Sequence, residues 1–171
     1  MKTSFLILLL SAICITVSAQ KNRRNASVRS TAASGFSIGL EAGIPVGENG
    51  KPYSSVIGGS LQYEIMPDKD LGITLSAGYL RYTFKSSYGG GGAGFVPLLA
   101  GVKYYFTPAV FFHAQLGAAA GTKNGQGTSF AYSPGAGFKF TSDIDAELKY
   151  VGISNSGGSL NDVGIRIAYN F

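Results

Sequence analysis

Along most of the chain beyond residue 34, apolar and polar residues alternate one by one, the period at which side chains of an extended strand point to opposite faces. The last ten residues carry it most cleanly. Val163, Ile165, Ile167, Tyr169 and Phe171 fall on one face, and Asp162, Gly164, Arg166, Ala168 and Asn170 on the other. Seven earlier segments repeat the pattern, at residues 36–44, 57–65, 71–79, 101–106, 110–116, 130–140 and 144–150. Eight strands are predicted. Short connections fall at Pro67 to Asp70, Thr107-Pro108 and Ser142-Asp143, and longer Gly-, Ser- and Asn-rich ones at residues 47–54, 85–94, 122–129 and 153–161. From Leu80 to Phe84 the apolar phase slips by one, which predicts a bulge or a projecting hairpin. Pro97 and Pro134, which cannot donate to a ladder, are expected near strand starts at a bulged rim.

Composition decides where such strands can live. The chain has 13% charged residues, 12% aromatic residues and 25 glycines, whereas a soluble surface is usually about 25 to 35% charged. No segment after the N-terminal leader is apolar enough to span a bilayer as a helix, so a membrane placement must use strands. In hydrocarbon every backbone N–H and C=O has to be paired internally, which makes an open sheet edge untenable. The expected fold is an eight-stranded antiparallel up-and-down transmembrane β-barrel, with short periplasmic turns and longer extracellular loops. An even strand count returns both termini to the periplasm.

The N-terminus fits export. Lys2 precedes an apolar run over residues 5–17, and Val17-Ser18-Ala19 before Gln20 is a small-residue pattern that a signal peptidase accepts. Residues 1–19 are predicted to be a signal peptide, 20–34 a flexible periplasmic tail, and 35–171 the barrel. Cys14, the only cysteine, lies inside the leader, so disulfides, thiol catalysis and cysteine metal sites are not expected.

The formal charge of +5 comes from Lys2, Lys21, Arg23, Arg24 and Arg29. From residue 35 onward acidic and basic residues balance, and the basic ones are scattered singly, so no nucleic-acid surface is expected. The run Gly89 to Gly92 is followed by no helical period, which a phosphate-cradling loop requires. An extracellular loop is predicted there.

Phe171 ends the chain, with Tyr169, Ile167 and Ile165 at two-residue spacing. These four residues resemble the C-terminal assembly signal of outer-membrane barrels, and residues 35–171 as a whole resemble the small outer-membrane β-barrel families that include the OmpA membrane domain and the OmpX type. The resemblance implies residence in the bacterial outer membrane, contact with its lipid, and recognition by the barrel assembly machinery. A monomer is expected. Two sets of aromatics accord with bilayer interfaces. Phe36, Tyr63, Tyr104, Phe106, Phe112, Phe138, Phe140, Tyr169 and Phe171 lie near the short turns, and Tyr79, Phe84, Phe95, Phe130, Tyr132 and Tyr150 near the long loops.

On the polar faces lie Glu41, Glu64, Lys103, His113, Lys139, Asp145, Glu147, Lys149 and Arg166. Eight strands enclose a space only wide enough for side chains, so these groups are predicted to pair with one another as a salt-bridged plug. A gated ion path through the same pairs is the alternative. His113, the only histidine, has no serine beside it on the outward face with which to build a catalytic triad. No catalytic, cofactor-binding or metal residues are predicted. The function expected is that of a structural or interaction protein, with a narrow porin-like channel as the alternative. A secreted lipocalin-like carrier is a second alternative, because alternation alone does not say which face points inward.

Overall fold

A computed structural model describes residues 34–171 apart from Asn124 and Ser156. The predicted signal peptide and all but the last residue of the predicted tail lie outside the described residues. Eight strands follow in order: β1 (Ser34–Val46), β2 (Tyr53–Asp68), β3 (Leu71–Phe84), β4 (Gly92–Tyr105), β5 (Val110–Gly121), β6 (Thr128–Lys139), β7 (Ile144–Asn155) and β8 (Gly158–Asn170). Strand pairing begins at Ser34, one residue before the predicted barrel boundary. Each strand pairs antiparallel with its chain neighbour, and β8 closes on β1 through partners such as Leu40 with Ile167 and Glu41 with Arg166. With 12 to 16 residues apiece, the strands exceed the 9 to 11 or so that a tilted crossing needs.

The apolar faces point outward. Leu40 is 76% exposed, and Ile38, Ile44, Ile57, Leu75, Leu98, Leu116, Leu148, Ile165 and Ile167 are exposed with it. This overturns the secreted-carrier alternative, whose apolar faces would line the interior. The outer band is bordered near the short turns by an aromatic belt in which Tyr104 meets Phe106, Phe138 meets Phe140, and Tyr169 meets Phe171, at ring separations of 5.1, 5.3 and 5.0 Å. Near the other rim Tyr132 lies 6.1 Å from Phe130 and 6.0 Å from Tyr150. Phe95 departs from the expected belt: it is buried inside the barrel against Tyr82, with ring centroids 5.7 Å apart.

Two periplasmic turns use one device. In each, a threonine hydroxyl accepts two backbone N–H groups: Thr107 Oγ1 from Ala109 and Val110 at 3.2 and 3.0 Å, and Thr141 Oγ1 from Asp143 and Ile144 at 3.2 and 3.0 Å. The shared Phe-Thr-x-x-β-branched sequence is thus a turn signal in which the hydroxyl satisfies donors that the reversal leaves unpaired. Only Lys69 and Asp70 separate β2 from β3. At the opposite end the loops span residues 47–52, 85–91 and 122–127, each shorter than predicted because its flanks join the strands. Gly89, Gly90 and Gly91 all have positive φ, at 82°, 72° and 88°, which lets the chain reverse after a short 3-10 turn at Ser86–Tyr88.

Three local expectations are corrected. The predicted loop over residues 153–161 is a tight hairpin in which Ile153, Ser154 and Asn155 pair with Leu160, Ser159 and Gly158. These ladders project beyond the apolar band, where water suits polar side chains without opening the backbone. Between Leu80 and Phe84 the strand does not slip. Leu80 and Tyr82 keep their inward phase and are 4% and 0% exposed, because the interior itself turns apolar at this end; the one-residue shift lies on β2, between Tyr53 and Ser55. Pro97 and Pro134 sit well inside β4 and β6 without any register shift, each beside a gap in the ladder, toward β3 and β7 respectively. The missing donor is absorbed by omitting a bond.

Ile165, midway along β8 between Ala42 and Leu148, tests the facing of the barrel. Ile165→Arg should lower stability by roughly 2 to 4 kcal/mol if it sits near the bilayer midplane, measured as the shift in urea unfolding from lipid vesicles.

Candidate functional site

The interior has two zones. Toward the extracellular end Val56, Leu80, Tyr82, Ala93, Phe95, Leu99, Ala119, Ala131, Val151 and Ile153 form one buried apolar cluster. Below it the interior is polar, and the side chains that meet there come mostly from strands that are not neighbours. A strand and the next but one on a barrel this narrow bring their inward side chains within reach of each other across the lumen.

Near the periplasmic end, Lys103 of β4 pairs with Glu64 of β2 at 3.2 Å, and the Tyr105 hydroxyl donates to the other Glu64 oxygen at 2.7 Å. The Lys103 ammonium also lies 4.5 Å from the Phe111 ring centre, and Lys139 lies 4.7 Å from that of Tyr105, so cation–π attraction takes part of the charge. Among the described residues Lys139 has no carboxylate partner. Asp145 accepts from Asn170 at 2.8 Å, and its second oxygen faces Arg166 Nη1 at 3.8 Å. Those last two buried atoms have no hydrogen bond of their own, which makes this the slackest joint in the set.

At mid-lumen Lys149 of β7 meets Glu41 of β1 at 2.6 Å. Arg166 donates through Nε to Ser60 and through Nη2 to Ser37, both at 3.0 Å. Its stem needs Gly39: a Cβ there would come within 2.6 Å of Nε. The Gln115 amide donates to Ser76 at 2.8 Å. Between these groups remains a cavity of about 20 Å³ lined by Glu41, Gln62, Lys149 and Arg166 among others.

His113 of β5 links three strands. Its Nδ1 faces both Glu147 oxygens at 3.1 Å, and its Nε2 lies 2.9 Å from the Thr74 hydroxyl. In the neutral imidazole this arrangement places the proton on Nδ1 and leaves Nε2 to accept from Thr74. Hydroxyl, imidazole and carboxylate thus stand in triad order, but they are 2%, 0% and 1% exposed. No acyl group can approach the Thr74 oxygen without rearrangement of the lumen.

All nine predicted polar positions therefore face inward, and the four C-terminal residues Ile165, Ile167, Tyr169 and Phe171 face outward, at 43%, 54%, 47% and 71% exposure. Sequence inspection missed Asp162 and Tyr82, which share a 2.5 Å hydrogen bond at the upper edge of the polar zone. Asp162 stood in the alternation as a polar-face residue, but its tyrosine partner sits three strands around the closed barrel and reads as apolar. Thr74, Ser37, Ser60 and Asn170 were equally unmarked, because a small polar residue on an inward face carries no signal until its partner is known. Among the described residues no group of three or more His, Asp or Glu side chains gathers as a metal site, and no helix is long and apolar enough to cross a membrane.

A family model described as outer membrane protein beta-barrel domain matches residues 5–171. The chain belongs to that family. Its place is the bacterial outer membrane. No curated protein matches this family member in sequence, but solved barrels resemble it in fold. The outer membrane protein Ail of Yersinia pestis, determined in a phospholipid nanodisc, superposes with a TM-score of 0.60 at 23% identity, covering 81% of this chain and 100% of Ail. The N-terminal barrel domain of Pseudomonas aeruginosa OprF gives 0.55 at 16% identity, over 80% and 97% of the two chains. The outer membrane enzyme PagL gives 0.61 at 18%, over 77% and 97%. At these identities the likeness to this outer-membrane barrel is one of fold alone.

Glu41→Ala would strand the Lys149 ammonium without its partner in the lumen. The expected loss is about 3 to 5 kcal/mol, seen as a lower urea midpoint in vesicles, whereas the double change Glu41→Ala with Lys149→Met should recover much of it. Tyr82→Phe leaves Asp162 unsatisfied and should cost about 1 to 3 kcal/mol in the same measurement.

Proposed function

We propose that this outer-membrane barrel acts as a structural and interaction protein whose lumen is closed by its own ion pairs, and that it conducts no solute in its resting state. The observation that carries this is the size of the mid-lumen cavity, about 20 Å³, which holds about one water molecule. Lys149 with Glu41, Lys103 with Glu64, and His113 between Thr74 and Glu147 cross-brace alternate strands. The apolar cluster beneath the loops adds a second barrier. Opening a path would require several buried pairs to part together, each at the cost of stranding charge in a low-dielectric interior.

The same barrel is non-catalytic in this proposal. The hydroxyl, imidazole and carboxylate of Thr74, His113 and Glu147 are sealed from both ends, and they serve to tie β3, β5 and β7 together. What the protein offers to its surroundings is its rim. Three of its loops carry mainly small and polar residues outward, with Lys51, Lys85, Tyr88 and Lys123 exposed among them.

The outward spacing of Ile165, Ile167, Tyr169 and Phe171 supports a further role for β8 as the strand that the barrel assembly machinery reads, and the protein then stands in the membrane as a monomer. In the same proposal residues 1–19 serve as the cleaved export signal and residues 20–34 as a periplasmic tail, its last residue, Ser34, already pairing in β1.

Two measurements test these assignments. In planar bilayers the refolded barrel should give no steady ohmic conductance; reproducible single-channel steps from the unmodified protein would overturn the closed lumen. Phe171→Asp should reduce the amount of folded protein in the outer membrane, read as the band that migrates differently when unboiled, and unchanged amounts would sink the assembly role.

A further inference from the structure

Beyond the closed lumen, and independent of it, one sector of the outer surface combines two features. Among the outward-facing strand positions Arg81 on β3 alone is charged, apart from Asp68 at the very end of β2. The Arg81 side chain is exposed and, among the described residues, makes no hydrogen bond or ion pair. An arginine facing lipid is costly at the bilayer midplane and nearly free at its edge, so this position marks the level of the headgroups. Tyr79, two residues below, leans over Gly94, the ladder partner of Arg81, with its hydroxyl 2.7 Å from where a Cβ of Gly94 would stand. The hydroxyl thus stands level with the Arg81 backbone. Lys85 follows on the same edge, its backbone N–H donating to Pro52 at 2.8 Å and its ammonium without a carboxylate partner among the described residues, and Lys51 lies beside it in a pair with Glu48.

Directly below, the surface is hollow. Tyr79 leans toward β4, and its partner on β2 is Gly59, so nothing fills the space between Leu40 and Ala77. The result is an open groove of about 420 Å³ walled by Ile38, Leu40, Leu61 and Ala77 with Gly59 at its floor. Its wall is mostly hydrocarbon, and Arg81 stands four residues beyond Ala77 on β3, on the same outward face. Of the exposed acids at this end of the barrel only Glu48 opposes the charge of Arg81, Lys85, Lys51 and Lys123.

We propose that this sector binds one anionic acyl lipid of the outer leaflet that carries a phosphate monoester, with an acyl chain in the Gly59 groove and the phosphate held by Arg81, assisted by the Tyr79 hydroxyl and Lys85. A planar guanidinium matches phosphate oxygens in two-point geometry. The groove gives the chain a place that a smooth apolar wall does not, so the site discriminates by charge and by shape together.

The test is retention of lipid by the refolded protein in phosphatidylcholine nanodiscs doped with lipid A, counted by native mass spectrometry. Lipid A should stay bound in preference to phosphatidylcholine. Both Arg81→Gln and Gly59→Leu should reduce that retention roughly tenfold or more, as loss of a charge-assisted bond or of the groove implies. A Cβ at Gly59 meets only the Gly39 carbonyl oxygen, at 3.4 Å, and the unboiled gel shift of each variant reports that it has folded. Equal retention of phosphatidylcholine, or undiminished retention by either variant, overturns the proposal. So does equally tight binding of inorganic phosphate alone, which would make the cationic edge an anion site without a lipid. A dimer joined through the groove in the absence of lipid A would assign the hollow to a second copy instead.

Discussion

Everything in this molecule depends on the ladder between β8 and β1. A sheet of eight strands in hydrocarbon has two edges with rows of unpaired N–H and C=O groups, and no side chain or water can satisfy them there. Pairing Ser37 to Val46 with Asn161 to Asn170 removes both edges at once. Closure then dictates the rest. It fixes the interior to a width that side chains fill, turns the apolar faces outward, and brings the charged inward residues of alternate strands into contact.

That narrowness explains why the lumen is paired in depth. Polar groups inside must find partners inside, and they do so in tiers: Glu64 with Lys103 and Tyr105 low, Arg166 and Lys149 at the middle, Asp162 with Tyr82 above. Where charge gives way to the apolar cluster, packing replaces pairing. Replacing either component by the other is not a neutral exchange, because an unpaired charge costs far more than a methylene out of place.

The strands were legible because a period of two is a local property that needs no knowledge of neighbours; their facing was not in the period and rested on the low charge content. Short turns were legible for the same reason, through Pro, Asp and Thr. What escaped was set by relations across the barrel. Ser154 and Ser159 read as loop because polarity was taken to mean unpaired backbone, yet a ladder that leaves the membrane can carry any side chain. Phe95 and Tyr82 read as belt or slippage because apolar was equated with outward, whereas the upper interior is itself apolar. The partners of His113 lie on β3 and β7, neither adjacent to β5 in sequence, and only strand tilt and stagger decide that Thr74 and Glu147 stand at its height.

The division of the interior into a charged lower part and an apolar upper part has a consequence for how such a protein can change over generations. The buried cluster that includes Tyr82, Phe95 and Ile153 lies between the loops and the charged tiers, so changes in the loops meet packed side chains before they reach the ion pairs. Loop sequences can therefore drift, lengthen or diversify under pressure from the exterior while the charged tiers keep one arrangement. The apolar cluster works as a firewall between the part of the molecule that must stay constant and the part that is free to vary.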